Sequence, residues 1–314
     1  NPRLMRRSLP PFPPQTKRKN PTLRGPLRTH PSSGLLPSPT ALSLPKMKLL
    51  RFALLASALV LPNAQAAEIP EKTGLPFPGE TLWIAHSQAF LIPSEKAPKD
   101  RPKPWVWYAP TLRNLPGNAE KWIFERLLAS GIAVAGIDVG ESYGSPEGRQ
   151  RFSALYTTLT SERGYSPKPV LLARSRGGLM TLGWAAENPE KVSAWAGIYP
   201  VSNIASYPGV QRAAPSYQLT EAQLTEQLPK HNPIDRLKPL AEAGVPFFAI
   251  HGDSDRTVPL ELNSALLKER YTALGGTMEL TVPPGQGHTM WPGFFESEAL
   301  VDFLLKHALP KSDR

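Results

Sequence analysis

Two residues of this chain, Ser175 and His288, have carboxylates placed between them in a way that would turn an alcohol into a nucleophile. A serine hydroxyl attacks poorly until a base takes its proton, and the base works best when a carboxylate fixes its tautomer. Ser175 lies in Lys168-Pro169-Val170-Leu171-Leu172-Ala173-Arg174-Ser175-Arg176-Gly177-Gly178. This reads as a short apolar strand, the serine, and two glycines opening a helix through Leu179, Met180, Leu182 and Trp184. A serine wedged between strand and helix with so little bulk around it suggests a nucleophile elbow. It needs small residues two before and two after it, because the backbones nearly touch there. Ala173 and Gly177 fill those places, so the motif is A-R-S-R-G where G-x-S-x-G is usual. Serine before a glycine pair is also an ordinary helix N-cap, so the rest of the chain has to decide.

The partners should come from loops at the carboxyl ends of later strands. After Ile250 the chain reads His251-Gly252-Asp253-Ser254-Asp255-Arg256-Thr257-Val258-Pro259, and after Val282 it reads Pro283-Pro284-Gly285-Gln286-Gly287-His288. The order is serine, acid, histidine, with about one strand-helix unit between acid and base.

Strands are expected at Leu82–Ala85, Ala89–Ile92, Trp105–Ala109 and Ile132–Val139, and again before Ser175, at Val192–Tyr199, at Phe247–Gly252 and at Met278–Val282. Between them fall helical spacings. One runs through Trp122, Ile123, Leu127 and Leu128 with Asn118 as N-cap, one through Phe152, Leu155 and Leu159, one over Pro259–Leu274 and one over Phe294–His307. Ile132–Val139 is apolar throughout, as a parallel strand buried on both faces should be. Steady alternation predicts an α/β fold, a mostly parallel twisted sheet with helices on both faces. The stretch 202–231 breaks the rhythm with one weak helix, Thr220–Leu228, whose Thr220 and Gln223 are spaced as a capping box. It reads as an insertion of lid or pocket-wall type, and Asn232-Pro233 then caps a further helix.

The formal net charge of +10 invites a nucleic-acid reading, but its distribution argues otherwise. Before Ala67 there are 11 Lys/Arg and no Asp or Glu, which leaves 36 − 11 = 25 basic against 26 acidic residues and a net of −1. A neutral body excludes nucleic acid as the partner. Met47 marks the change. Lys48 and Arg51 make a basic start, Phe52–Leu61 an apolar run, and Ala64-Gln65-Ala66 a small-residue cleavage site. Residues 47–66 thus read as a signal peptide cut after Ala66, its apolar run about half the roughly 20 residues that a membrane-spanning helix needs. This predicts a periplasmic or secreted protein with no stable membrane insertion after cleavage. Residues 1–46, with eleven prolines and nine basic residues, cannot bury a core. They read as a frame extended upstream of Met47 or as a disordered basic arm. The catalytic domain is then 67–314. The absence of cysteine excludes a thiolate nucleophile or metal site. No metal-ligand spacing and no phosphate-cradling glycine loop is present, so no cofactor is implied.

Glu80 to His307 resembles the α/β-hydrolase superfamily, nearest its prolyl-oligopeptidase and dienelactone-hydrolase-like branch, in the tail H-G-D-S-D-x-x-V-P followed by G-Q-G-H. The resemblance makes the second aspartate the triad member, so Ser175, Asp255 and His288 are the expected catalytic residues, with Asp253 and Glu279 structural. It also implies an oxyanion hole with one donor at the backbone N–H of Arg176, at a helix N-terminus. The second donor should come from the loop after the third strand, Tyr108-Ala109-Pro110-Thr111-Leu112-Arg113, where many relatives carry His-Gly. Pro110 has no N–H, which leaves Thr111 or Leu112. The nucleophile motif is also partly similar to the G-C-S-R-x-G of glucuronoyl esterases, without their cysteine and following lysine. Asp138-Val139-Gly140-Glu141-Ser142-Tyr143-Gly144 resembles the superfamily's D-x-R-G-x-G turn, with Glu141 where arginine is more usual.

Arg174 and Arg176 either bind a substrate carboxylate or support the oxyanion, or else pair with Glu141 or another acid and brace the loops. Glu141 and Tyr143 either line the pocket or pack their loop. Trp291, three residues after His288, is a further candidate wall, and the other tryptophans read as core. The expected activity is that of an exported serine hydrolase acting on a small-molecule or saccharide-linked carboxylic ester. One alternative is a prolyl-oligopeptidase-type peptidase, disfavoured because only about a dozen residues separate the signal peptide from the first strand. The other is a non-catalytic binding protein on the same fold. The sequence leaves the oligomeric state open.

Overall fold

A computed structural model describes residues 74–310. Residues 47–66, read above as a signal peptide, the cleavage site expected after Ala66 and the basic stretch before Met47 lie outside the described residues.

Eight strands form a single sheet: β1 (Glu80–Ile84), β2 (Ser87–Ile92), β3 (Trp105–Ala109), β4 (Ala133–Ile137), β5 (Val170–Arg174), β6 (Ala194–Ile198), β7 (Phe247–Ile250) and β8 (Met278–Thr281). Their order is β1-β2-β4-β3-β5-β6-β7-β8. Two pairings, β1 with β2 and β2 with β4, are antiparallel. The remaining five are parallel. Every expected strand is present. Nine α-helices join them among the described residues: α1 (Lys121–Ala129), α2 (Pro146–Thr157), α3 (Gly177–Ala185), α4 (Val210–Ala213), α5 (Glu221–His231), α6 (Lys238–Glu242), α7 (Ser264–Ala273), α8 (Pro292–Phe295) and α9 (Glu298–Ala308).

Side chains alternate across a strand with period two, and here both faces are apolar. On β3, Trp105 and Trp107 enter a core shared with α2, α3 and α7. Val106 and Tyr108 point the other way, against α1 and α9. Helices on both sides hide the sheet, as the apolar runs require. A third cluster, with Ile204, Tyr217 and Leu224 at its centre, seats the 202–231 insertion on Tyr143 and Leu179.

Chain direction across the sheet reverses between β3 and β5. From β3 the chain moves outward to β4, then returns to the far side of β3 and proceeds to β8. The carboxyl ends of β3 and β5 therefore flank a crevice with no crossover above it, where open α/β sheets place their sites. Ser175 follows β5 directly.

Local details depart from expectation. Asn118 does not cap α1. It begins a 3₁₀ turn, Asn118–Glu120, whose N-cap is Gly117 and whose Glu120 side chain folds back onto the Gly117 N–H. Asn232 makes no side-chain cap either. Its carboxamide oxygen accepts from the Ile204 N–H at 2.9 Å, tying the two ends of the insertion together. The Thr220–Gln223 capping box is formed as the spacing requires. Trp105, Trp107, Trp184 and Trp195 are buried, whereas Trp83 on the edge strand β1 is exposed and Trp122 only half-buried.

Candidate active site

Ser175 has φ +50°, a left-handed conformation unusual for a side-chain-bearing residue. The turn is held from both sides. Its N–H donates to Ile198 O at 3.0 Å, and its C=O accepts from Gly178 N–H at 3.0 Å and Val201 N–H at 2.8 Å. The small-residue rule has a direct cause: a Cβ on Gly177 would lie 2.1 Å from Ala109 O. Ala173, two before the serine, lies in register with Ala109 on one side and Gly197 on the other. One methyl is tolerated there.

The groups expected to act together meet. Ser175 Oγ is 2.9 Å from His288 Nε2, and His288 Nδ1 is 2.7 Å from Asp255 Oδ2. Oδ1 of Asp255 accepts from the Thr257 and Val258 N–H groups at 2.9 and 2.8 Å. Burial pushes the Asp255 carboxyl upward, but hydrogen bonds from His251, His288 and Val258 outweigh it and hold the group well below the ordinary carboxylate range. It stays ionised beside the imidazole.

His251 follows β7 directly and joins this group. It is fully buried, and its Nε2 lies 2.8 Å from Val258 O and 3.3 Å from Asp255 Oδ2. A carbonyl only accepts, so Nε2 carries the proton and shares it with Asp255, while the Ser264 hydroxyl donates to Nδ1 at 2.8 Å. The contact joins residues four apart through a loop, which no helix or strand period would reveal.

The acid and base loops are clamped together. Asp253 Oδ1 accepts from Gly285 N–H at 2.7 Å, and Ser254 N–H donates to Gln286 O at 2.9 Å. A Cβ on Gly252 would sit 2.1 Å from Gln286 O, so only glycine allows this approach. Asp253 thus ties the loops together. Glu279 lies exposed on β8.

Above Ser175 opens a cavity of about 250 Å³, walled by Pro110, Leu115, Arg174, Tyr199 and Met290. The Arg176 backbone N–H stands at the N-cap of α3 beside it. The two candidates for a second oxyanion donor are placed elsewhere. Leu112 donates its N–H to Leu115 O at 3.2 Å in a tight hairpin. Thr111 bridges to Asp138, prolonging β3 against β4, and its hydroxyl packs over Gly136. Neither lines the cavity, because the chain runs on beside β4 past Pro110 and turns only between Leu112 and Leu115.

Both arginines flanking the serine are paired. Arg174 Nη1 donates to Glu120 Oε1 at 2.7 Å, and Glu120, fully buried, also accepts from the Tyr108 hydroxyl at 2.8 Å. Burial opposes the Arg174 charge, yet Tyr108, Tyr199 and Glu120 more than offset it and strengthen its hold on the proton. Arg176 lies 3.1 Å from Glu141, a pair open to solvent. Glu141 and Tyr143 border a different hollow or core. Glu141 lines a shallow recess with Ser145 and Arg151, and Tyr143 is buried under the insertion with its C=O accepting from the Tyr217 hydroxyl at 2.8 Å. Trp291 packs edge-on against Phe294, outside the cavity, and Met290 takes the wall position assigned to it. No residue of 202–231 lines the cavity; the insertion instead holds the Glu141 loop through the Ser216 hydroxyl. Among the described residues no cluster of three or more His, Asp or Glu is arranged to hold a metal ion.

Sheet order, elbow and the serine-histidine-aspartate line define an α/β-hydrolase of the serine-hydrolase type. In agreement, the sequence model of the prolyl oligopeptidase family matches residues 166–308, the stretch carrying all three groups. Dipeptidyl peptidase 4 of Porphyromonas gingivalis is similar at TM-score 0.61 and 16% identity over 73% of this chain and 35% of that one. Est1E from Butyrivibrio proteoclasticus is similar at TM-score 0.57 and 16% identity, over 74% of this chain and 99% of Est1E. An S-formylglutathione hydrolase from Agrobacterium tumefaciens gives 0.57 and 16%, over 73% of this chain and 93% of that one. The chain thus spans little more than a third of the dipeptidyl peptidases it matches, at 35% and 36% of their length. The sequence matches no curated protein.

Proposed function

We propose that the protein is an exported serine esterase that cleaves a carboxylic ester through an acyl-enzyme. The carrying observation is Ser175 at φ +50° with its hydroxyl 2.9 Å from a histidine that is itself 2.7 Å from a buried aspartate. In this reading Ser175 Oγ bonds to the ester carbonyl carbon as His288 takes its proton. The oxyanion is met by the Arg176 N–H, with Tyr199 and Arg174 as the side-chain donors facing the same cavity. The carbon–oxygen bond to the alcohol then breaks and His288 returns the proton to the departing oxygen. Water repeats the sequence to free the acid and Ser175.

Two features support an ester over a peptide read from its amino terminus. The cavity lining holds no carboxylate to meet an ammonium group, and both of its guanidinium groups already have acidic partners. Export rests on the reading of residues 47–66 as a signal peptide. Labelling with a fluorophosphonate and mapping of the adduct tests the chemistry. An adduct on Ser175 that disappears in His288→Ala is expected, and a folded sample that takes no label would favour a binding protein.

A further inference from the structure

Beyond Met290 the Ser175 cavity has a neighbour. A groove of about 380 Å³ runs between the start of α1 and the segment Met290–Glu296. Its apolar lining is Ala119, Trp122, Met290, Pro292 and Phe295, and charged groups of Lys121, Glu125 and Glu296 stand with it. Met290 lines both hollows and is all that the two linings share.

The partition is soft. Met290 is 54% exposed, and its Sδ is held by Arg174 Nη2–H at 2.9 Å, with the Tyr199 hydroxyl at 4.0 Å. A thioether is a weak acceptor on an unbranched, adaptable side chain, so a bound molecule can displace it at small cost. The framework around it is firm. Arg174 is fixed from behind by Glu120, the last residue of the turn that leads into α1 and the groove. That pairing also spends the Arg174 charge, leaving the passage neutral. Trp122 is braced in turn, with the Arg126 guanidinium 3.4 Å from its ring centre.

From these facts we infer that groove and cavity are one substrate trough. Resting on the ester reading above, it takes a neutral ester whose carbonyl sits at Ser175 and whose acyl or alcohol part crosses Met290 to place an aromatic ring against Trp122 and Phe295. Indole and phenyl edges with a methionine sulfur suit an aromatic ring better than a charged or hydroxylated group.

Four esters test this: methyl butanoate and methyl 4-phenylbutanoate, butyl acetate and 4-phenylbutyl acetate. In one of the two pairs the phenyl group should raise kcat/KM at least about tenfold, as burial of a ring implies, and that pair tells which side of the ester enters the groove. Glu125→Trp, which fills the groove from an exposed helix position, should cut the phenyl-to-plain ratio about tenfold, and Trp122→Ala should do the same. A ratio near one in wild type, or one untouched by both variants, overturns the trough. If wild type cleaves none of the four, the ester reading fails, and the groove is then read without turnover. Saturation-transfer NMR of 4-phenylbutanol on Ser175→Ala protein should give a signal that is lost when Glu125→Trp is added. An equal signal in both overturns the proposal.

Discussion

The two walls of the Ser175 site handle charge differently. On the histidine side a single buried carboxylate, Asp255, is met by His251, His288 and two backbone N–H groups, all donated by loops closed on one another. On the arginine side charge is matched pairwise across long stretches of chain: Arg174 to Glu120 in the interior, Arg176 to Glu141 in solvent. The first wall makes an ionised acid cheap by surrounding it with donors. The second neutralises cations that a helix N-terminus would otherwise oppose. Rate should therefore reside in the first wall and stability in the buried half of the second.

Breaking the first wall should have the largest effect. Ser175→Ala should lower ester turnover by about 10⁴-fold or more while leaving the melting temperature near wild type, since the hydroxyl adds little to the core. Asp255→Asn should cost about as much, because His288 then loses its tautomer. Comparing kcat with thermal melts for both variants checks the division.

The arginine wall makes the opposite prediction. Glu120→Gln leaves Arg174 unpaired beside the cavity and should destabilise the fold by roughly 3 kcal/mol. Glu141→Gln, at a solvent-open pair, should fall within about 0.5 kcal/mol of wild type. Urea unfolding of the two separates them, and equal losses would erase the contrast.

His251 sharpens the comparison within the first wall. His251→Phe removes the buried donor to Asp255 and Val258 and should lower kcat about tenfold with KM little changed, alongside roughly 1–3 kcal/mol of lost stability. The pH dependence follows with its sign. The Asp255 carboxyl is depressed in the folded protein, so its contribution is present above the ordinary carboxylate pKa and lost as pH falls through the folded value. In His251→Phe that loss should begin at higher pH, as acid titration monitored by near-UV circular dichroism would show.

The smallest effect belongs to the insertion. His231 is buried, and burial followed by the nearby Arg149, Lys230 and Arg236 lowers its pKa. Its neutral form stabilises the fold above about pH 6.5, and that stability falls away as pH drops toward the folded value. Hydrogen-exchange protection factors across 210–231, taken relative to the intrinsic exchange rate at each pH, should therefore fall at pH 5 relative to pH 7.5, with those of the sheet unchanged.

Much of this was legible in the residues. The apolar strands, the A-R-S-R-G elbow and the serine-acid-histidine order are local patterns, each with a steric or chemical cause that a short window contains. Thr111 and Leu112 fall outside the cavity because the bridge of Thr111 to Asp138 depends on how the chain packs beside β4, and the Leu112–Leu115 hairpin consumes the Leu112 N–H that reach alone made available. Trp122 read as core because spacing places a residue on a helix face without showing how deep that face is buried. Met290 was passed over for its neighbour Trp291, since counting from His288 gives no direction for a side chain in a loop.

The sequence by itself determined which groups exist and in what order they follow the strands, because strand and helix periods are written over a few residues. Only the tertiary structure decided the partners of the charges. Glu120 reaches Arg174 across 54 residues, and His251 reaches Asp255 around a loop. Such contacts form when the buried sheet sets the loops at its carboxyl edge side by side, and there an unpaired charge costs more than the chain can bear.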